Sequence, residues 1–359
     1  MKYFLAFLQI LFFCIGCSKK ESMLVNDEGE IFSFKAIQLD SAVEVGNIYQ
    51  SQNFAAFTDI ANYNGTWYVV FRIGTSHVGG ENGQIKIMTS KDGIEWHVKD
   101  NIIEERRDLR GPHLTVDSAN DDLYLNYFSR NALRSGKFDI VNYISKLNKS
   151  TSSWLPARAI QYENSYNTRY IFWRYTYHKG RMYSIAYRSP LGDEKEKNLG
   201  LFNSGGDFYT YQFSGPINVK GRYTETTLRI TETDSMYFIP RTETVNTPIG
   251  ISIPSYNIVK WDKNPFSSIL ESPNFLFYKN KLLVTARDSK RSTFKLFSYD
   301  IETKKVQKTY TFPAGNETGY GGMSFNPSNP DELWISYYSI TNTQSLIKLA
   351  KINLLKFLK

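Results

Sequence analysis

A pair of short apolar segments joined by a turn recurs six times along this chain. Each copy has an apolar run, a turn rich in Asn, Gly, Asp or Lys, and a second run of aromatic and β-branched residues that ends in a polar residue. The copies lie at 57–72, 113–130, 175–188, 227–241, 275–287 and 323–338, so their ends are 46 to 58 residues apart. A period of about 50 residues with some four strands per unit is typical of a β-propeller, whose small sheets stack radially because none can bury both faces alone. We therefore predict an all-β fold over residues 31–359: a six-bladed propeller with four-stranded antiparallel blades.

The composition agrees with a folded β protein. The chain has 359 residues, of which 41% are hydrophobic and 22% charged, and its 25 Tyr and 24 Phe favour strands over helices. Lys and Arg outnumber Asp and Glu by 43 to 35, but the excess is spread along the chain instead of forming a basic block. We therefore expect no nucleic-acid partner.

The first twenty residues have the pattern of an export signal. Lys2 precedes an apolar run, Tyr3 to Ile15, which is too short to span a membrane as a helix and is followed by Gly16 and Cys17. The segment Cys14-Ile15-Gly16-Cys17 resembles a bacterial lipoprotein signal, although Leu is usual where Cys14 stands. The resemblance implies cleavage after residue 16 and lipidation of Cys17; the alternative is an ordinary secretory peptide.

The lipoprotein interpretation divides the chain into a signal peptide (1–16), a polar tether (17–30) and the propeller (31–359). It implies a bacterial cell-envelope protein anchored to the outer membrane by lipid, with no other membrane contact. The sequence leaves open whether the protein faces the periplasm or the cell surface. We expect a monomer.

Several chemistries have no support in the sequence. Cys14 and Cys17 are the only cysteines, so the mature chain would keep no thiol for a disulfide, a nucleophile or a metal site. The four histidines are not at metal-ligand spacing, and no phosphate-binding loop or serine-hydrolase motif occurs. We expect neither a metal nor another cofactor.

The segment Ser90-Lys91-Asp92-Gly93-Ile94-Glu95-Trp96 has Asp-Gly for a tight turn and a Trp that can pack beneath it. It resembles the Asp-box of the sialidase superfamily, and 204–211 resembles a degenerate copy. The resemblance extends from about residue 54 to the C-terminus. It implies a six-bladed propeller with an active site at the mouth of its central channel, and a carbohydrate ligand.

The same resemblance implies roles for individual residues. Sialidases hold the substrate carboxylate with three arginines and use a Tyr nucleophile activated by Glu, with an Asp as acid and base. Tyr320 in Gly-Tyr-Gly-Gly resembles the nucleophile, and Glu225 resembles its activating base. Arg241 and Arg287 resemble two of the substrate-binding arginines.

Two positions depart from the sialidase pattern. Residues 56–60 contain no arginine where the first of the three is expected, and Thr75-Ser76-His77 stands where the acid/base Asp is expected, shortly after Arg72. Losing one charge-assisted contact costs about 1.5 to 3 kcal/mol, so sialic acid is not the expected substrate. His77 can replace the Asp as proton donor, because imidazole titrates near neutral pH.

Three further residues are predicted to contact the substrate: Arg72, as an assisting cation, and His113 and His178, which lie at blade entries that could face the channel. The leading hypothesis is an exported, sialidase-like glycoside hydrolase that acts on an unidentified, possibly acidic, glycan. The alternatives are a glycan-binding lipoprotein without catalysis, a lyase acting on a uronic-acid polymer, and a scaffold propeller. The sequence does not separate hydrolysis from elimination.

Overall fold

The computed structural model describes residues 29–77, 83–132, 138–163, 169–188, 199–217, 219, 222–288 and 292–359. The signal peptide and Cys17 lie outside the described residues. Within them, no helix is both long and apolar enough to cross a membrane.

Nearly all regular structure in the described part of the chain is β-strand. The elements are β1 (Ile31–Ser33), β2 (Ile37–Gln38), β3 (Val43–Ser51); β4 (Phe54–Tyr63), β5 (Thr66–Gly74), β6 (Gln84–Ser90), β7 (Glu95–Ile102); β8 (Leu109–Asp117), β9 (Asp122–Ala132), β10 (Phe138–Asn148), β11 (Ser153–Trp154), β12 (Arg158–Ala159); β13 (Gln161–Tyr162), β14 (Tyr170–Phe172), β15 (Thr176–His178), β16 (Arg181–Arg188), β17 (Leu199–Ser204), β18 (Thr210–Ile217); β19 (Tyr223–Ile230), β20 (Met236–Thr242), β21 (Ile249–Ser252), β22 (Val259–Asp262); β23 (Leu270–Tyr278), β24 (Lys281–Asp288), β25 (Phe294–Asp300), β26 (Lys305–Phe312); β27 (Glu317–Asn326), β28 (Asn329–Ile340), β29 (Ser345–Asn353) and α1 (Leu354–Phe357).

These strands form five hydrogen-bonded sheets, and the ten-stranded one contains two blades joined through the pair Ile185 and Thr226. The described strands thus build six antiparallel units, in which the chain runs from the innermost strand outward. The innermost strands are β4, β8, β14 with β15, β19, β23 and β27. The predicted all-β propeller is confirmed, and the sequence repeat corresponds to the two inner strands of each blade.

The N-terminal strands modify the simple repeat. The last blade takes its fourth strand from the other end of the chain, because β3 pairs antiparallel with β29. β1 adds a fifth strand beside β7, and β13 pairs with β18 in parallel. The ring therefore closes with a strand, β3, that precedes the first blade in the sequence.

Apolar faces between neighbouring blades form the core. Trp67 of β5 and Trp334 of β28 stack across the closing seam, with ring centroids 3.8 Å apart and planes 7° apart. Gly93, in the turn between β6 and β7, packs against Trp334 and has a φ of +69°. In that turn Asp92 Oδ1 accepts hydrogen bonds from the backbone N–H groups of Ile94 and Glu95, at 2.7 and 3.0 Å. These contacts fix the turn, and Trp96 is fully buried.

The inner strands share one irregularity near their starts. Pairing with the next strand shifts between residues 56 and 59, 110 and 113, 223 and 226, 271 and 274, and 319 and 322, while β14 and β15 are separated by residues 173–175. Phe57, Gly111, Ser272 and Tyr320 each have positive φ at this level. Such bulges redirect side chains and interrupt the ladder. At this level five of the six blades contribute residues to one cavity: Phe57, Gly111, Trp173, Thr224, Glu225 and Tyr320.

Candidate active site

The starts of several inner strands surround one cavity at the channel mouth, with a volume of about 250 Å³. Its walls combine arginines, acidic groups and aromatic rings. The lining residues are Phe57, His77, Arg110, Gly111, Phe128, Arg130, Ile171, Trp173, Tyr187, Thr224, Glu225, Arg241, Glu243 and Tyr320. Four residues predicted from the sequence, His77, Glu225, Arg241 and Tyr320, therefore line a single cavity.

Tyr320, Glu225 and Arg241 form a connected group. The Tyr320 hydroxyl donates to Glu225 Oε1 at 2.8 Å, and Arg241 Nη1 donates to Glu225 Oε2 at 2.9 Å. The same Nη1 lies 3.2 Å from the Tyr320 oxygen. Glu225 and Tyr320 occupy bulges on different blades, so the ring closure brings them together although they are 95 positions apart. The arrangement provides a phenol with a base on one side and a cation beside it.

The protonation of this group follows from its surroundings. Burial and the negative charge of Glu225 raise the pKa of Tyr320, while the charges of Arg241 and Arg287 act in the opposite direction. Burial lowers the pKa of Arg241, but the charges of Glu225 and Tyr320 outweigh it, and the net shift is upward. Tyr320 is thus a neutral phenol at neutral pH. It needs a base to become a nucleophile, and Glu225 is in place to supply one.

The backbone of Tyr320 is held from both sides. Its φ is +50°, an uncommon conformation for a residue with a side chain. Its N–H donates to Ser272 Oγ at 3.1 Å, and its carbonyl accepts from Thr58 Oγ1 at 2.9 Å. Gly319, with a φ of +136°, and Gly321 flank it. Contacts from two other blades therefore stabilise the strained conformation that presents the phenol.

His77 lines the cavity from the segment that follows β5. Its Nδ1 lies 2.6 Å from Glu317 Oε1, and Tyr338 donates to the same oxygen at 2.9 Å. Although burial alone would raise the pKa of Glu317, the hydrogen bond and charge of His77 lower it overall. An ionised Glu317 orients the imidazole through Nδ1 and leaves Nε2 for proton exchange.

Arg287 lies behind Tyr320 and outside the cavity wall. It is 1% exposed, its Nε donates to Glu271 Oε2 at 2.7 Å, and its guanidinium carbon is 5.8 Å from the Tyr320 ring centre. Its Nη1 also donates to Tyr338 Oη at 3.3 Å. The prediction that Arg287 binds substrate is corrected: the residue is enclosed by protein partners and acts on the site through its charge.

Phe57 lies in the first bulge, within the segment 56–60 that has no arginine. Its ring packs edge-on against Tyr320, with centroids 4.6 Å apart and planes at 87°. It also contacts the His77 ring at 5.2 Å. The cavity wall beside Tyr320 is therefore apolar at Phe57, and this ring cannot form an ion pair with a carboxylate.

Arg72 is fully buried below the cavity. Its Nε and Nη2 lie 2.8 and 2.7 Å from Asp108 Oδ1, and its Nη1 donates to the carbonyl of Ser76 at 3.0 Å. Asp108 Oδ2 accepts from Arg110 Nη1 at 3.0 Å. The prediction that Arg72 contacts substrate is corrected, because its side chain is 0% exposed. Arg72 instead supports the loop before His77 and, through Asp108, positions Arg110.

His113 lies one layer beneath the cavity, and its predicted substrate contact is also corrected. It is 1% exposed and packs edge-on against Trp173 at 4.6 Å. Asp59 Oδ2 is 3.8 Å from its Nδ1, while Asp59 Oδ1 pairs with Arg174 Nη1 at 2.6 Å. Burial and the charge of Arg174 lower the pKa of His113, so it is neutral. These residues form a polar floor that spans the channel.

His178 is at the wrong end of its blade to contact the cavity. It closes β15, and its Nε2 lies 2.6 Å from Asp234 Oδ1. Ile171, which lines the cavity, precedes it by seven positions on a strand path that covers roughly 20 Å. The predicted substrate contact is corrected because the inner strand carries His178 away from the mouth.

The sequence analysis missed several cavity residues, including Arg110, Arg130 and Glu243, as well as the supporting Glu271 and Glu317. One signal was available: Arg110 precedes Gly111-Pro112 within a strand pattern, and Gly or Pro inside a strand often marks a bulge. Among the described residues, no group of three or more His, Cys, Asp or Glu is arranged to hold a metal ion.

No protein-family model matches the chain, and none of the curated proteins matches it. Solved structures do resemble it. A protein of unknown function from Dyadobacter fermentans has a TM-score of 0.73 at 16% identity, with 88% of this chain and 100% of that chain covered. Trypanosoma rangeli sialidase in complex with the inhibitor DANA has a TM-score of 0.64 at 14% identity, covering 85% and 56%.

The NanB sialidase from Streptococcus pneumoniae has a TM-score of 0.59 at 10% identity, covering 90% of this chain and 71% of that chain. This chain thus spans little more than half of the T. rangeli enzyme. At these identities the likeness establishes the fold alone: a sialidase-like propeller.

Proposed function

We propose that this protein is a glycoside hydrolase in which Tyr320 is the nucleophile. The observation that carries the proposal is the Tyr320–Glu225–Arg241 group, with the phenol 2.8 Å from a carboxylate at the mouth of a sialidase-like propeller. A buried phenol with a raised pKa and a neighbouring base is suited to nucleophilic attack only when the base takes its proton. Glu225 has that role.

The proposed reaction has two steps. The Tyr320 oxygen attacks the anomeric carbon as its proton passes to Glu225, and the bond to the leaving oxygen breaks as that oxygen receives a proton from His77. A water molecule then attacks the anomeric carbon and gives its proton to His77. The bond to Tyr320 breaks, and the phenolate regains its proton from Glu225. The product keeps the configuration of the substrate, because two displacements occur at one carbon.

Arg241 stabilises the reaction electrostatically. It donates to both Glu225 and the Tyr320 oxygen, so it balances the carboxylate before attack and the developing phenolate during departure of the sugar. A cavity of about 250 Å³ with Phe57, Phe128 and Trp173 in its walls suits one sugar ring with apolar faces.

Covalent trapping tests the proposal directly. Fluorinated glycosyl fluorides with different sugar configurations should label the wild-type protein, and mass spectrometry should locate the adduct on Tyr320. Tyr320→Phe should remain unlabelled. Tyr127→Phe is the matched control, because Tyr127 is buried, lies outside the cavity, and its hydroxyl forms no hydrogen bond within the described part of the chain. Equal labelling of Tyr320→Phe and wild type would refute the tyrosine mechanism.

Glycan binding without catalysis is the second candidate. It is favoured by the absence of an arginine in residues 56–60, where the sialidase resemblance leads one to expect it, and by His77 where that resemblance leads one to expect an acid/base carboxylate. Calorimetric titration of the purified protein with a glycan panel, run beside product analysis by mass spectrometry, separates the two. Saturable binding with no product and no trapping would favour this candidate over the hydrolase.

We also propose export to the bacterial cell envelope with a lipid on Cys17, a proposal that rests on the N-terminal sequence alone. Cells that express the full chain should incorporate labelled palmitate into the wild-type protein and recover it with membranes. Cys17→Ser should lose both, while Cys14→Ser keeps both. Membrane recovery and labelling of Cys17→Ser would reject the anchor.

A further inference from the structure

One wall of the cavity carries two arginines that the proposed reaction does not use. Arg110 in β8 and Arg130 in β9 belong to the second blade, and both line the cavity. Arg110 is paired across the ladder with Phe128, which lies two positions from Arg130 on the same strand. Alternation along β9 puts residues 128 and 130 on the same face of the blade. The two guanidinium groups therefore belong to one surface.

Among the residues of this blade that line the cavity, two are cations and none is an acid. Asp108 contacts both Arg72 and Arg110, so a single carboxylate serves two guanidinium groups. Burial and the positive charge of Arg110 lower the pKa of Arg130. Because both guanidinium groups line the same cavity, a negative charge placed there would be attracted by both.

The wall formed by the fourth blade has the reverse character. Glu225 and Glu243 lie there, and the cation Arg241 is already engaged by Glu225 at 2.9 Å. An anion at that wall would meet two carboxylates. The charge distribution thus fixes one orientation for a sugar with a single negative substituent.

Phe57 sets the distance between the nucleophile and the cationic wall. Its ring contacts Tyr320 on one side, and the Arg110 guanidinium carbon lies 5.3 Å from its centre on the other. A carboxylate bonded to the anomeric carbon would fall against this apolar ring, where a desolvated charge is unfavourable. A substituent across the sugar ring from the anomeric carbon is displaced toward Arg110 instead.

We propose that Arg110 and Arg130 form a subsite for an anionic substituent on a ring carbon remote from the anomeric centre. The substrate class is then a hexuronide or a sulfated hexoside, and not a sugar whose carboxylate is on the anomeric carbon. This inference rests on the proposed function, since it assumes that the reacting carbon lies at Tyr320.

Binding measurements on Tyr320→Phe test the subsite without requiring turnover. The probes are glucuronic acid, glucose 6-sulfate, N-acetylneuraminic acid and glucose, titrated by calorimetry at low and at physiological salt. Glucuronic acid or glucose 6-sulfate should bind at least tenfold more tightly than glucose, as expected for a charge-assisted contact. The preference should weaken as salt rises.

Arginine variants in the same background locate the contact. Arg110→Gln and Arg130→Gln should each reduce the preference for the anionic probe over glucose about tenfold. Arg106→Gln is the matched control, because Arg106 is on the same blade with a side chain 89% exposed. Arg110→Lys should keep part of the preference, and thermal unfolding identifies any variant that fails to fold.

Each outcome has a defined meaning. Tighter binding of N-acetylneuraminic acid than of the other acids, equal binding of acidic and neutral probes, or a preference that survives both glutamine variants would overturn the subsite. Selective anion binding in a protein that releases no product and resists trapping would support the subsite and reject the hydrolase. The relative affinities of glucuronic acid and glucose 6-sulfate then distinguish a carboxylate site from a sulfate site.

Discussion

The substitution Glu225→Gln tests the proposed role of Glu225 as the base that takes the proton of Tyr320. It retains the shape of the side chain and removes the charge that accepts the Tyr320 proton. Loss of a general base typically reduces turnover by about 10² to 10⁴. That range corresponds to about 3 to 5 kcal/mol of transition-state stabilisation. The fold should survive, because Arg241 keeps a second carboxylate, Glu271, at 3.9 Å.

The pH dependence of the residual activity gives a more specific signature. In the wild type, burial and the Glu225 charge hold the pKa of Tyr320 above its ordinary value. Removing that charge leaves Arg241 and Arg287, both of which favour the phenolate, so the pKa of Tyr320 should fall. Residual turnover of Glu225→Gln should therefore increase with pH on the alkaline side, since only the ionised fraction can attack.

Two measurements check this reasoning. Steady-state rates on a substrate identified by trapping give the pH profile, and NMR of protein labelled with ¹³C at tyrosine Cζ, assigned by comparison with Tyr320→Phe, follows ionisation directly. Glu243→Gln is the control, because Glu243 has the same charge and lines the same cavity but pairs with Arg222 at 3.3 Å. Full activity in Glu225→Gln, or an unchanged Tyr320 titration, would refute the assignment of Glu225 as the base.

Asp108→Asn should lower the free energy of unfolding in urea by about 3 to 5 kcal/mol, because two buried guanidinium groups lose their shared carboxylate; a loss below about 1 kcal/mol would contradict this account. Gly93→Ala should cost about 1 to 3 kcal/mol more than Gly65→Ala by thermal unfolding. Both glycines have a φ of +69°, but only at Gly93 would a Cβ lie 2.0 Å from Trp334, so equal losses would exclude the clash. Because the pKa of Glu317 is lowered in the fold, its contribution to stability is present above the ordinary carboxyl pKa and is lost as the pH falls through the lowered value. Wild type and Glu317→Gln should accordingly converge in acid, and a constant difference from acid to neutral pH would be the contrary result.

The fold was predictable from the sequence because its repeat is local. The two inner strands of each blade are adjacent in the sequence. Six copies of a unit that cannot bury both of its faces alone are compatible with only a few fold architectures. The closure of the ring by β3 was not predictable in the same way. The segment 43–51 reads as one more strand, and only three-dimensional packing decides that it pairs with β29 at the far end of the chain.

The site was predictable where position along a strand was known. Glu225 and Tyr320 lie at bulges near the start of inner strands, and the ring brings those starts together. We predicted substrate contacts for His113 and His178 because both lie near a blade entry. His113 is three positions beyond Arg110 and lies below the cavity, and His178 is eight positions beyond Tyr170, at the far end of the blade. Residue type indicated chemistry, whereas depth along the strand decided access to the cavity.

The repeated bulge explains how the chemistry of such a site can change while the fold persists. At each bulge the ladder is interrupted whichever side chain is present, and the six positions accept groups as different as Phe57, Gly111, Glu225 and Tyr320. A substitution at one bulge therefore alters one wall of the cavity without disturbing the pairing that holds the opposite blades. In this chain the first bulge presents the apolar ring of Phe57 beside Tyr320, while Glu225 and Tyr320 form a 2.8 Å hydrogen bond from two other blades. A change in substrate is thus separable from a change in the catalytic group, which is why the second-blade arginines and Tyr320 can be tested by independent substitutions.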